Sequence, residues 1–232
     1  EFAVGYSEPE AGSDAAAMKL KAVETTGGWT LNGQKTWTTS AHFAEWYWVG
    51  ARTNPDAPKH SGITLFLVPM DHPGITVQGI WTMGDERTND VFFDDVFVPD
   101  EYVVGQLDHG FQYISQALDL ERFTMFTFSP IKQRLDLLID HVRSARRDGQ
   151  PLKDDPKVRS RIARLATTAE VARGMGLRVV DASVKAEASG GAPPTIESSE
   201  YKLFTTTLSQ RVCKDALDLT GAAGQMREGQ ED

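Results

Sequence analysis

The sequence predicts an α+β chain, a small antiparallel β-barrel or sandwich domain followed by an α-helical bundle. Two observations carry this. From Lys19 to about Val98, short runs of strand-favouring residues alternate with turn residues. From about Gly110 the apolar spacing becomes helical. The predicted division is a β domain over residues 1–105 and a helical domain, incomplete at its end, over residues 106–232.

The elements follow in order. Lys19–Thr25 runs into Gly27-Gly28, and Trp29–Leu31 runs into Asn32-Gly33, the dipeptide of a tight hairpin turn. The strand after that turn carries Trp37-Thr38-Thr39. Trp46–Ala51 and Ile63–Val68 are the next strands, the latter closed by Pro69; between them Asn54–His60, with Pro55 and Pro58, is a loop. Val91–Val98, interrupted by Asp94-Asp95, ends at Pro99. Many short strands with frequent turns suit a small barrel or sandwich.

In the second half, Phe111, Ile114, Leu118, Met125 and Phe128 share one helical stripe, which Leu135, Leu138, Ile139 and Val142 continue until Gly149-Gln150-Pro151 breaks it. Val158–Val184 is a second long helix, rich in alanine and arginine. Gly190–Pro194 is a loop, and Ser199–Leu219 is a third helix closed by Gly221. Three such helices must bury their stripes against a further helix or a partner subunit.

Composition excludes several classes. Lysine and arginine number 24 against 33 acids, a formal charge of −9, which argues against non-specific nucleic-acid binding. Hydrophobic residues at 40% and charged residues at 25% are ordinary for a soluble globular protein. The single cysteine, Cys213, rules out a disulfide within one chain and suits a reducing cytoplasm. No apolar run approaches the ~18 residues that span a bilayer, and no signal peptide is read. The chain opens on Glu1-Phe2-Ala3-Val4 and stops at Gly229-Gln230-Glu231-Asp232, so it reads as a fragment cut at both ends.

Three stretches carry candidate chemistry. Gly5-Tyr6-Ser7-Glu8-Pro9-Glu10-Ala11-Gly12-Ser13-Asp14 can aim backbone N–H groups and hydroxyls at an anion. Alone, it also fits a plain turn with Asx and Ser caps. Trp37-Thr38-Thr39 sets an indole beside hydroxyls, suited to a flat cofactor, and equally to a core aromatic among strand threonines. Glu121 has the strongest case from the residues alone. Ile114, Leu118, Glu121, Met125 and Phe128 are spaced four, three, four and three apart, on one helix face. A carboxylate in an apolar stripe is costly unless paired, and such settings make general bases. The adjacent Arg122 is a poor partner, since neighbours on a helix do not face each other. His42, His60, His72, His109 and His141 show no ligand spacing and read as surface or capping residues; no metal is expected. Arg143, Arg146 and Arg147 read as a solvated cluster at a helix end.

Together, Glu8-Pro9-Glu10-Ala11-Gly12-Ser13-Asp14, Asn32-Gly33-Gln34-Lys35 and Trp37-Thr38-Thr39 resemble the acyl-CoA dehydrogenases, whose signature is a Glu-Pro-x-Ala-Gly-Ser-Asp loop, then Asn-Gly-x-Lys and Trp-Ile-Thr. Met83-Gly84, Phe93-Asp94-Asp95-Val96-x-Val98-Pro99, Val104-Gly105, Gly110-Phe111 and Asp119-Leu120-Glu121-Arg122 extend the resemblance over nearly the whole chain. The Glu-Pro-Glu-Ala-Gly opening and Thr53–Lys59 further look like actinobacterial members that act on steroid side chains and form two-plus-two heterotetramers. The resemblance implies FAD and α,β-dehydrogenation of an acyl-CoA thioester, with electrons passing to an electron-transfer flavoprotein from a homo- or heterotetramer. It implies that Val4, Tyr6, Ser7, Gly12 and Ser13 line the flavin, with Ser7 at the ring edge and Ser13 also touching acyl-CoA. Trp37, Thr38 and Thr39 would pack on the isoalloxazine, with Thr39 near its reactive nitrogen. Asp119 and Arg122 would contact the CoA substrate. Glu121 would be the base, at the position used by isovaleryl-type and long-chain members. Gly221 and Gly224 would hold a neighbouring subunit's flavin.

Three departures stand out. Thr38 replaces an isoleucine and Ala222 a glycine. In Ala145–Leu152, Asp148 stands where the family has the phenylalanine of Arg-x-x-Phe-Gly, which reaches a neighbour's FAD. This last change suits an unequal partnership between two chain types. A same-fold flavin oxidase or monooxygenase, a non-catalytic partner subunit, and a ligand-binding barrel without flavin are the alternatives.

Overall fold

A computed structural model describes residues 1–124 and 128–226. The chain divides into two compact units, Glu1–Gln116 and Ala117–Asp232. The first unit holds one sheet of eight strands: β1 (Phe2–Gly5), β2 (Lys21–Thr25), β3 (Gly28–Lys35), β4 (Trp46–Arg52), β5 (Ile63–Pro69), β6 (Ile75–Trp81), β7 (Arg87–Pro99) and β8 (Val103–Val104). Their order is β6-β7-β3-β2-β4-β5-β8, with β1 beside β4. Pairing is antiparallel except where β1 and the start of β2 run parallel to β4. Alternation along the strands puts Leu31, Tyr47, Val49, Phe66, Val68, Val91, Val96 and Val98 into one core.

Two local expectations are corrected. Asn32-Gly33 is not a hairpin turn. The β2–β3 turn is made by Thr26-Gly27, where Gly27 has φ +79°. Asn32-Gly33 instead forms a β-bulge inside β3, where the register with β7 shifts between Leu31 and Gly33. Asn32 and Asp95 lock the bulge. The Asn32 Nδ2 donates to Asp95 Oδ1 at 2.9 Å, and the Asp95 backbone N–H donates to Asn32 Oδ1 at 2.9 Å. Asn-Gly thus supplies a positive-φ residue for a bulge as readily as for a turn. The second correction follows: β3 ends at Lys35, so Trp37-Thr38-Thr39 lies in the loop beyond the strand.

The helix α1 (Gly110–Thr124) follows the sheet, and Ile114 on it is fully buried. The second unit holds α2 (Phe128–Ser144), a two-strand hairpin of β9 (Arg146–Arg147) and β10 (Gln150–Pro151), α3 (Pro156–Ser189) and α4 (Thr195–Thr220). The single stripe read from Phe111 to Val142 therefore spans two helices, and Met125 within it lies outside the described residues. Asp155 caps α3, accepting the Lys157 N–H at 2.7 Å, and Pro156 occupies the first helical position. Gly190 ends α3 at φ +64°. Leu135, Leu138 and Val142 of α2 pack with Leu165, Ala169 and Ala172 of α3 and Leu208 and Val212 of α4. Outside that core, Val171, Leu177, Val180 and Val184 on α3 and Ile196, Leu203 and Leu217 on α4 remain exposed. Among the described residues no helix is long and apolar enough to cross a membrane.

Candidate functional site

In the first unit, the opening loop and the segment after β3 lie side by side. The Thr36 N–H donates to the Ser7 carbonyl at 3.0 Å. Just beyond, Trp37 has φ +58° and Ser40 φ +67°, both in the left-handed region that residues other than glycine rarely adopt. Such outliers persist only where surrounding contacts over-determine them, and they cluster at functional sites. The contacts here are explicit. The Thr38 N–H donates to the Asn89 carbonyl at 2.9 Å, and the Asn89 Nδ2 donates to the Thr38 carbonyl at 2.9 Å. Asn89 is fully buried, and Arg87 Nε donates to its Oδ1 at 3.0 Å.

The side chains alternate as a result. The Trp37 indole is 60% exposed and Thr39 is exposed, while Thr38 is only 1% exposed. The Thr38 hydroxyl lies 2.6 Å from the Tyr47 hydroxyl inside the core. The structure thus turns Trp37 and Thr39 outward and Thr38 inward. In the opening segment, Val4 is exposed on β1, Ser13 and Gly12 are exposed, and Tyr6 and Ser7 are half-buried. Gly5 has no room for a side chain, since a Cβ there would sit 2.3 Å from the Tyr47 hydroxyl.

A buried ion pair fixes these two segments together, and sequence reasoning assigned it no role. Glu8 Oε1 and Lys35 Nζ are 2.8 Å apart, with Lys35 fully buried. Glu8 also accepts the backbone N–H groups of Lys19 at 2.6 Å and Leu20 at 2.9 Å. Burial pushes the Lys35 ammonium down to about 8, against the upward pull of Glu8. The signal was available: Glu8 and Lys35 both stand in the motifs quoted above, and a lysine at the end of an alternating strand demands a partner if it faces inward.

The remaining candidates lie in the second unit. Asp119 and Arg122 pair on α1 at 2.6 Å, one helical turn apart, and Thr195 donates to the other Asp119 oxygen at 3.1 Å. Glu121 is half-buried, and its carboxylate has no hydrogen bond or ion pair among the described residues. Arg122 is engaged by Asp119, as the helix geometry requires. The Ala145–Leu152 segment is the β9–β10 hairpin. Asp148 at φ +51° and Gly149 at φ +79° form its tip, the backbone that an Asp-Gly pair favours. Arg147 reaches from it to the Leu219 carbonyl at 2.9 Å, at the end of α4. Gly221, at φ +65°, ends α4, and Gly224 lies so close to Thr220 that a Cβ would meet its hydroxyl at 2.1 Å. Among the described residues no group of three or more potential ligands could hold a metal ion.

Residues 3–96 match the acyl-CoA dehydrogenase middle domain, and residues 108–231 match the acyl-CoA dehydrogenase C-terminal domain. The chain belongs to the acyl-CoA dehydrogenase family. Acyl-CoA dehydrogenase FadE34 of Mycobacterium tuberculosis is 38% identical over 224 residues, which is 94% of this chain and 29% of that protein. Among solved structures, the Tcur3481-Tcur3483 steroid ACAD has a TM-score of 0.86 at 29% identity, covering 99% of this chain and 58% of that one. The ChsE4-ChsE5 complex from Mycobacterium tuberculosis has a TM-score of 0.85 at 29% identity, covering 98% and 57%. The family's named members are oxidoreductases, and the present chain spans less than two thirds of each of these relatives. Family and α+β class both agree with the reading of the sequence.

Proposed function

We propose that this chain carries the flavin-binding segments and the catalytic base of an FAD-dependent acyl-CoA dehydrogenase. The observation that carries this is the outward indole of Trp37, held in a left-handed backbone between the Ser7 and Asn89 hydrogen bonds. A flat ring system needs a rigid flat surface with donors at its edge, and Trp37, Thr39, Ser7 and Ser13 supply those groups. Thr38 supports that surface from behind. Val4, Tyr6 and Gly12 line the opening segment, and Gly221 and Gly224 offer backbone to a flavin of a neighbouring subunit.

In this reading residues 1–105 bear the flavin segments and residues 106–232 the base. Glu121 takes the proton from the substrate α-carbon onto its carboxylate. Asp119 and Arg122 hold the CoA portion. When bound, FAD would supply the acceptor for the hydride from the β-carbon, and an electron-transfer flavoprotein would take the electrons onward. The protein's contribution is alignment and proton transfer. The name of the steroid ACAD supports a steroid acyl-CoA as substrate, and the single cysteine, Cys213, suits the cytoplasm as the place of action.

Purified full-length protein is expected to be yellow, with flavin absorbance that Trp37→Ala weakens in an FAD titration. Absence of bound FAD, or FAD found more than a side-chain length from Thr39, overturns the proposal.

Assembly belongs to the same reading. The exposed apolar residues of α3 and α4 form stripes that a soluble monomer rarely leaves open, and two of the similar structures are named as two-component proteins. The full-length protein is expected to behave as a homo- or heterotetramer in light scattering, a mixed one if its partner chain is co-expressed. A stable flavin-loaded monomer contradicts this. A second reading, in which this chain supports a catalytic partner, draws on Asp148 at the hairpin tip. Glu121 opposes it.

A further inference from the structure

We propose that Tyr47 is a positioning residue for the flavin-facing surface; this rests on the FAD reading above. Tyr47 stands on β4 and is fully buried, with its ring stacked on Phe93 of β7 at 5.8 Å. Its hydroxyl meets both flavin-facing segments from inside the core. On one side it lies 2.6 Å from the Thr38 hydroxyl. On the other it fills the space where a side chain at position 5 would stand, so β1 can lie against β4 only with glycine there.

Thr38 is consequently pinned twice, through its side chain by Tyr47 and through its backbone by Asn89. Its neighbours Trp37 and Ser40 sit in the left-handed region, a conformation that relaxes unless it is held. Burial also pushes the Tyr47 phenol well above its ordinary range, so it stays a neutral hydroxyl able to donate or accept. The hydroxyl at position 38 is a departure from the isoleucine of the Trp-Ile-Thr signature. With isoleucine there, the Tyr47 hydroxyl would lose this partner inside the core, a costly arrangement. Thr38 and Tyr47 therefore act as a matched pair that sets the height and tilt of Trp37 and Thr39.

The test compares Tyr47→Phe, Thr38→Val and the double variant in the full-length protein, stripped of flavin and titrated with FAD. Flavin fluorescence quenching gives Kd, the visible absorption bands report the ring's surroundings, and thermal unfolding is followed with and without FAD. Each single variant is expected to bind FAD about threefold to tenfold more weakly, the loss of one hydrogen bond's worth of positioning, with shifted visible bands. The double variant is expected to be no weaker than the singles, because all three lack the same bond. If Tyr47→Phe does not fold, Thr38→Val reads that bond from its other end. Wild-type Kd and spectrum in the variants, with melting temperatures lowered equally with and without FAD, would reduce the pair to core packing and overturn the inference. Wild-type protein that takes up no FAD overturns the FAD reading and this inference with it.

Discussion

Lys35→Met is expected to destabilise the first unit by about 3–5 kcal/mol, the cost of leaving a buried charge without its partner. Glu8 is the group left behind. It is 8% exposed and keeps two backbone N–H donors, from Lys19 and Leu20, but loses the ammonium at 2.8 Å. Because Glu8 belongs to the opening loop and Lys35 to the end of β3, the loss also loosens the two segments that present Ser7 and Trp37. The double variant Glu8→Gln/Lys35→Met removes both charges and is expected to recover part of the stability, since the uncompensated charge is gone but a glutamine can accept only one of the Lys19 and Leu20 N–H groups. Chemical denaturation at constant m-value measures each.

pH gives a second check on the same pair. Lys35 titrates near 8 when folded against an ordinary value of 10.5, so between those values the unfolded chain holds more protons. Stability then rises with pH across that window. The wild type should gain on Lys35→Met from pH 8 to pH 10.5, and a constant difference between the two would show that Lys35 is not desolvated as the structure has it.

Much of the fold is legible from periodicity, and the failures have physical reasons. β4 and β5 run largely apolar and β7 closes on the apolar Val96-Phe97-Val98, and the long helices announce themselves by spacing and by the Asp155-Pro156 start and the Gly190 stop. β6 was missed because Ile75–Trp81 is an exposed-faced strand without a fully buried residue. β1 was missed because four residues of strand precede a Gly/Pro/Ser loop and look like part of it. The hairpin at Arg146–Pro151 hid behind Gly149-Gln150-Pro151, which reads as a simple break although Asp148-Gly149 is a turn signal. At the candidate site, the residue types were readable but their directions were not. Whether Thr38 or its neighbours face outward depends on the left-handed backbone at Trp37, and that depends on Asn89, 51 residues away along the chain from Thr38. No local pattern carries that information.

Glu121→Gln is expected to slow turnover by at least about 10²- to 10⁴-fold, the usual range for a general base. The substitution preserves shape and hydrogen-bonding capacity and removes only basicity. Three observations single this carboxylate out. It sits on the α1 face shared by Leu118 and the buried Ile114, spaced three and seven residues back. Its nearest cation in sequence, Arg122, is held by Asp119 at 2.6 Å. Asp119 in turn has both oxygens occupied, by Arg122 and Thr195, and so is a poor proton acceptor, whereas the Glu121 carboxylate has no ion pair or hydrogen bond among the described residues. Flavin content should survive the change, because the substitution leaves the opening loop and the Trp37 segment unaltered in sequence. The measurement is anaerobic rapid mixing of the full-length, flavin-loaded and assembled protein with acyl-CoA, following the bleaching of flavin absorbance. Slow bleaching with unaltered substrate affinity is the signature of a lost base. Bleaching at the wild-type rate in the glutamine variant places the base on another residue.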